Sequence, residues 1–191
     1  MGRSGKGGAA GFSLIELVLA IAVAVILLAL GLPAFLRAYR IYELNNAARQ
    51  VADILRLTRY EAIRLNTAVN CVIQTAGGTT SAWVDSNNNG TLDPTEKTIL
   101  LDGSGSLAVP PGTAPPISGQ IGTNSILPVP LPSATVTFDA RGAVRPPTNV
   151  NVFYLNSALA PDAGYRAVVL MPAGSIQIWM SDSSGNWQVQ Q

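Results

Sequence analysis

Histidine is missing from the 191 residues altogether, Cys71 is the single cysteine, and Lys97 is the one lysine beyond residue 6. Without imidazole there is no Ser-His-Asp triad, no Cys-His dyad and no histidine-held zinc. One thiol excludes an internal disulfide and says little about compartment, because an exported domain of this size folds without one. A lone cysteine there fits a buried strand residue, with pairing between chains as the alternative. Charge is scarce as well: 12% of residues, against 48% hydrophobic, with a net of +1. No strong field draws the chain to nucleic acid or to an anionic membrane. A nucleophile–base pair is hard to assemble from what remains, and the chain reads as a non-enzyme.

What the sequence has instead is one long apolar run. Leu17 to Leu36 are twenty consecutive positions without a charged or hydrogen-bonding side chain. At helical rise they span roughly 30 Å, the thickness of a bilayer's hydrocarbon core. A cleavable secretory signal has a shorter core and a small-x-small site after it. Here Arg37-Ala38-Tyr39-Arg40 follows directly, so the run reads as a retained membrane helix. Glu16 stands just before it, and a carboxylate beside hydrocarbon is costly unless partnered, which makes it a functional candidate. Gly31 and Pro33 interrupt the run, where a proline bends or locally melts a helix. The length allows one domain besides this anchor.

Gly11-Phe12, then Ser13-Leu14-Ile15-Glu16, then the unbroken apolar run with Pro33 two-thirds along, resemble the class III signal of type IV pilins and type II secretion pseudopilins. The resemblance implies that residues 1–11 are a cytoplasmic leader, removed by a prepilin peptidase between Gly11 and Phe12. Phe12 is then N-methylated, and Glu16 pairs with an α-amine of its own or a neighbouring subunit during assembly. It also implies residence in the inner membrane as a single pass, with the C-terminal domain in the periplasm and later in the filament. Arg3 and Lys6 before the span and Arg37 and Arg40 after it nearly balance, so charge by itself does not set that orientation. Loss of the leader would take the net charge from +1 to −1.

Beyond the span (12–36), Ile41, Leu44, Ala48, Val51, Leu55, Thr58, Ala62 and Leu65 recur at alternating spacings of three and four. That is an apolar seam along a helical continuation, 37–66. From Phe12 to Asn66 such a rod measures roughly 80 Å. Its polar faces carry Arg49, Arg56, Arg59 and Arg64, either solvated or pairing with acids on neighbouring subunits. Strand-like runs fill the exported part, 67–191: Val69–Ile73, Ala82–Asp85, Lys97–Asp102, Thr135–Asp139, Ala143–Val144, Val150–Asn156, Arg166–Met171 and Ser175–Ser181. Gly77-Gly78 and Pro172-Ala173-Gly174 mark tight turns, and Trp187 is placed to cap an apolar sheet face. The stretch 103–133 carries seven prolines and reads as a long surface loop without strands. The fold class expected is α+β: a long N-terminal helix packed on an antiparallel sheet of about six or seven strands.

Within the pilin superfamily the order of four further motifs is similar to the FimT/GspH branch: T-R-Y-E-A-I-R-L-N at Thr58–Asn66, W-V-D-S-N-N-N-G at Trp83–Gly90, F-D-A-R-G at Phe138–Gly142, and the terminal S-I-Q-I-W. The proline-rich insert and the single cysteine depart from that pattern. The resemblance implies a structural subunit that starts or caps a pilus or pseudopilus, with other pilins of the filament as partners. Two alternatives from other classes are a DNA-binding competence pilin and a signal-anchored periplasmic domain of different function.

Two side-chain groups carry further chemistry. Asp85 to Glu96 follows the twelve-residue calcium-loop template. Asp85, Asn87, Asn89, Asp93 and Glu96 stand at ligand positions with the Thr91 carbonyl, and Gly90 allows the sharp turn. Its flanks read as strands rather than helices, and Asn-Gly between strands is also an ordinary polar turn. Arg141 and Arg145 bracket Gly142 in a turn between strands, and a partial resemblance to FimT-like pilins that bind DNA through basic residues in their C-terminal part makes them candidates for that contact. From Thr67 onward, however, four basic residues face seven acids, which makes DNA an unfavoured partner.

Overall fold

The apolar run and the stem behind it form one helix, α1 (Leu14–Leu65). The computed structural model of the chain describes residues 13–76, 79–101, 106–108, 111–112, 115, 125–128 and 133–190. Two compact units divide it, Met1–Ala38 and Tyr39–Gln191. In the first, Leu17, Ile21, Leu28 and Leu32 all stand exposed, and no part of the most apolar stretch is buried in protein. The helix is long and apolar enough to cross a membrane.

In the second unit, one face of α1 is buried by Leu44, Ala47, Ala48, Val51, Ala52, Ile54, Leu55, Thr58 and Ala62. Six of these lie on the seam read from the sequence. Ile41 is half-buried against the same core and Leu65 is exposed. Small residues at 47, 48, 52 and 62 let the backbone of the strands approach closely. Asn66, with φ of 51°, ends the helix in the left-handed conformation, and Thr67 N–H donates to Ala62 O at 3.2 Å. That arrangement closes the last turn as asparagine commonly does.

Among the described residues eleven strands follow, in two sheets. The five-stranded sheet has the order β3-β2-β1-β6-β7, built from β1 (Val69–Ala76), β2 (Thr79–Asp85), β3 (Thr98–Leu101), β6 (Ser133–Phe138) and β7 (Val144–Arg145). The other has the order β11-β10-β9-β8-β4, from β4 (Ser106–Leu107), β8 (Asn149–Asn156), β9 (Arg166–Leu170), β10 (Ile176–Ser181) and β11 (Trp187–Gln190). These pairings are antiparallel. β5 (Ser125–Pro128) lies parallel to β8, with Ser125 opposite Asn149 and Pro128 opposite Val152. The helix-on-antiparallel-sheet architecture is therefore as expected, but the strands are more numerous and split between two sheets. The stretch 103–133 is not strand-free, since β4 and β5 fall within it. The glycine turn expected at 77–78 lies outside the described residues, between paired Ala76 and Thr79.

Both sheets contribute to one core under the helix: Val69, Cys71, Ile73 and Phe138 from the first, Phe153, Leu155, Val168 and Leu170 from the second. β9 is buried at every position because its other face meets a second cluster, Val150, Val152, Tyr154, Ala167, Val169, Met171 and Trp179. Trp187 packs on that cluster, edge-on to Tyr154 with ring centroids 6.2 Å apart. It caps the face away from the helix.

Cys71 is fully enclosed, and burial pushes its thiol up to about 12, against a smaller opposing effect of hydrogen bonding with Thr58. A thiol so held has almost no thiolate at neutral pH. Dithionitrobenzoate should leave the folded chain unlabelled at pH 8 and label it fully in denaturant. Native labelling at the rate of a free thiol would mean that β1 does not lie closed beneath α1.

Candidate functional site

Gly11 and Phe12, the expected cleavage and methylation positions, lie outside the described residues. Glu16 lies in the first turn of α1. A carboxylate there meets the unpaired N–H groups and the positive end of the helix dipole. Gly31 and Pro33, expected to break the helix, sit inside α1, which runs through both. Nothing lies within 4 Å of where a Gly31 side chain would project.

The Asp85–Glu96 loop is held by its own polar groups. Asp85, fully buried at the end of β2, accepts from the N–H groups of Asn89 and Gly90 at 3.0 and 2.9 Å. Glu96 reaches back to accept from Ser86 N–H and Asp93 N–H at 3.1 and 3.0 Å. Asp93 Oδ2 accepts from the amides of Asn87 and Asn89 at 2.7 and 2.9 Å, and Asn89 Oδ1 accepts from Thr91. The sequence motif thus gathers its members into one loop. Their oxygens are turned to backbone and amide donors, and among the described residues no three carboxylates or thiols converge on a common point. As it stands, the arrangement favours the polar turn, and a cation would have to compete with N–H donors for the same oxygens.

Arg141 and Arg145 both fall beside Asp139. The Asp139 carboxylate accepts from Arg141 N–H and Ala143 N–H at 2.9 and 3.0 Å, and lies 3.9 Å from Arg145 Nε. Those two backbone donors, then the arginine charges, hold its pKa below the usual carboxylate value. The acid organises the turn and offsets part of the positive charge that a phosphate backbone would need.

Three motifs that are far apart in sequence meet at one point, which no periodicity announces. Arg59 on α1 donates through Nη1 to Gly174 O at 3.1 Å, in the turn between β9 and β10. Val144 N–H, at the start of β7, donates to Pro172 O of the same turn at 2.9 Å. A side chain on Gly142 would come within 2.8 Å of both Arg59 Nε and Ile63 Cδ1. The helix, the F-D-A-R-G turn and the terminal hairpin are locked there by one arginine and two glycines. Sequence marked each as a turn or a polar face, and only contact order reveals the joint.

Arg166 is a second residue whose role the sequence does not disclose, since there it only opens a strand-like run and adds one basic charge. It opens the apolar β9 and is 5% exposed. Its Nε donates to Asn45 Oδ1 on α1 at 2.6 Å, and Nη1 donates to the carbonyls of Ala163 and Tyr165 at 3.1 and 2.9 Å. Burial pulls its pKa down from the usual guanidinium value, yet a guanidinium stays charged at any working pH. A lone arginine heading the run R-A-V-V-L was the available signal.

On the exposed stem the arginines bond within the helix: Arg40 to Glu43 at 3.0 Å, Arg56 to Asp53 at 2.7 Å, and Arg64 to Glu61 through Nε at 3.0 Å. The Arg64 hydrogen bond lowers the pKa of Glu61. Such surface pairs contribute little each.

Residues 47–174 match the family described as Type II transport protein GspH. The matched segment runs from the middle of α1 to the Gly174 turn, and so takes in the three-way joint. Two crystal structures of the type IV minor pilin FimU of Pseudomonas aeruginosa are similar. One is 18% identical, with a TM-score of 0.49, over 78% of this chain and 94% of that one. The other is 19% identical, with a TM-score of 0.47, over 78% of this chain and 98% of that one. No curated protein matches the sequence.

Proposed function

The chain belongs to the GspH family of type II transport proteins, and from that membership we propose that it is a minor subunit that starts or caps a pilus or pseudopilus. The observation that carries the reading is α1. Its first unit leaves its apolar side chains uncovered, while Glu16 heads the run. Apolar surface of that extent needs lipid or other helices against it. We place the leader at residues 1–11, cut by a prepilin peptidase between Gly11 and Phe12, with Phe12 N-methylated. The span then lies once across the inner membrane with residues 67–191 in the periplasm. Moving an apolar helix from lipid into a helical bundle has little hydrophobic drive. Glu16, meeting an α-amine, supplies the direction. Gly31 and Pro33 are where α1 would yield when subunits pack, since proline leaves a carbonyl one turn back without its donor.

DNA uptake draws less support, because Asp139 already lies against the two arginines that would serve it.

The test is a pair of variants in the native host, scored by subunit length and by recovery in sheared filaments. Gly11→Trp should leave the chain at precursor length and absent from filaments. Glu16→Ala should be cut normally yet incorporated at least about tenfold less, the scale of losing one charge-assisted contact. Filaments that accept the uncut Gly11→Trp chain at the wild-type level would overturn the reading.

A further inference from the structure

Where the stem passes the terminal hairpin, a groove of about 640 Å³ opens between Arg49, Asp53 and Arg56 of α1 and Ile176, Ile178 and Gln190 of β10 and β11. A second hollow of about 360 Å³ shares Arg56 and Ile176 with it and continues past Arg59 and Tyr60 to Gly174. Together they make an open channel with aliphatic side chains and guanidinium groups in its walls.

Three observations suggest what fits there. First, β11 ends its sheet, so among the described residues the outer backbone groups of this strand have no ladder partner. An unpaired edge is a template for another strand. Second, two lining residues carry polar atoms shut away from water without a hydrogen-bond partner among the described residues. Gln190 Oε1 is an acceptor and Arg59 Nε is a donor. Buried polar atoms are nearly always paired, so each marks an unfinished place in the surface, Gln190 in the larger hollow and Arg59 in the smaller. Third, three guanidinium groups, Arg49, Arg56 and Arg59, line the two hollows against the single carboxylate of Asp53.

We propose that this groove receives an extended, carboxylate-bearing segment of another protein chain, added as a strand beside β11 with its acid against Arg49 and Arg56. A peptide backbone alternates N–H and C=O, which matches the open edge of β11. Strand addition of this kind takes affinity from main-chain bonds and specificity from alternate side chains. Ile176 and Ile178 would take an aliphatic side chain, and the arginine excess selects an acidic neighbour. Nucleic acid matches the arginines but offers phosphates no use of the edge strand. The proposal goes beyond the filament reading and does not depend on it, since it concerns the exported unit's own surface.

The probe is a fluorescein-labelled peptide of alternating Val and Glu, titrated by anisotropy against the full chain in detergent, with empty micelles as the blank. Binding is expected for this peptide, and not for its Val-Lys counterpart or for the same acidic peptide N-methylated at alternate residues. The double variant Arg49→Ala/Arg56→Ala should weaken binding at least about tenfold at an unchanged thermal midpoint, since both side chains are exposed. Equal binding of the basic or N-methylated peptide, or no acidic-peptide binding at all, overturns the proposal. So does a short DNA duplex that binds instead and loses affinity with the same two arginines. Self-association of the chain, seen by sedimentation and abolished by the double variant, also overturns it, by making a second copy the occupant. Filament recovery in the native host, read separately, shows whether the family role fails with it.

Discussion

Replacing Gly174 by alanine should lower stability by about 3 kcal/mol, the sum of left-handed strain and the loss of two hydrogen bonds at roughly 1 kcal/mol each. Gly174 has φ of +79°, and an added Cβ would land inside the van der Waals envelope of the Gly142 carbonyl oxygen and 2.9 Å from Arg59 Nε. Because the obstacle is backbone, a side-chain rotation cannot relieve it. The turn must move, and it would carry with it the bond from Arg59 to Gly174 O and the bond from Val144 to Pro172 O. For a chain of this size such a loss lowers the unfolding midpoint by about 6–12 °C. Tryptophan fluorescence of the full chain in detergent reads it. Gly90→Ala is the matched control: its φ is +74° but nothing lies within 4 Å, so backbone strain alone should cost about 1 kcal/mol. Equal midpoints for the two variants would mean that the three-way joint is not close-packed.

Arg166 should be at least as costly a position. Alanine removes three hydrogen bonds, leaves Asn45 Oδ1 and two carbonyls without their donor, and opens a cavity at the head of β9. The expected loss is about 3–4 kcal/mol, of which orphaned acceptors account for the larger part. Methionine refills the volume without donors, so Arg166→Met should recover only about 1 kcal/mol of it. The three acceptors recorded, Asn45, Ala163 and Tyr165, are all neutral. The cation is therefore held by dipoles, and the loss should change little between low and moderate salt. If Arg166→Met proves as stable as the wild type, packing rather than hydrogen bonding is what the residue supplies.

Much of this architecture was legible in the residues. The seam from Leu44 to Ala62 has helical period and needs no tertiary knowledge, and Asn66 is a residue type that ends helices. Eight strands could be found because β-branched and aromatic residues cluster between turn formers. Ser125–Pro128 could not: its composition is that of the proline-rich stretch around it. What makes it a strand is β8 beside it, a neighbour that lies far along the chain. The joint of Arg59, Gly142 and Gly174 was hidden for a related reason. A glycine in a turn signals only backbone freedom, whereas the need here is for two carbonyl-bearing turns to touch. Arg166 was hidden by counting it with the surface charges. The calcium template illustrates the converse, because spacing alone matched at every position. Whether those oxygens face a shared centre or each other's N–H groups is a matter of side-chain rotation that spacing does not encode.

The order in which the chain visits its two sheets has a consequence for how it is completed. β1–β3 belong to one sheet, β4 and β5 to the other, β6 and β7 return to the first, and β8–β11 complete the second. The threads are interwoven, so no single cut yields two self-sufficient halves. A polypeptide that emerges gradually, N-terminus first, would hold an unfinished layer until its last residues arrive. Truncation by even one terminal strand should therefore be felt as failure of the whole second unit to mature, rather than as the trimming of an edge.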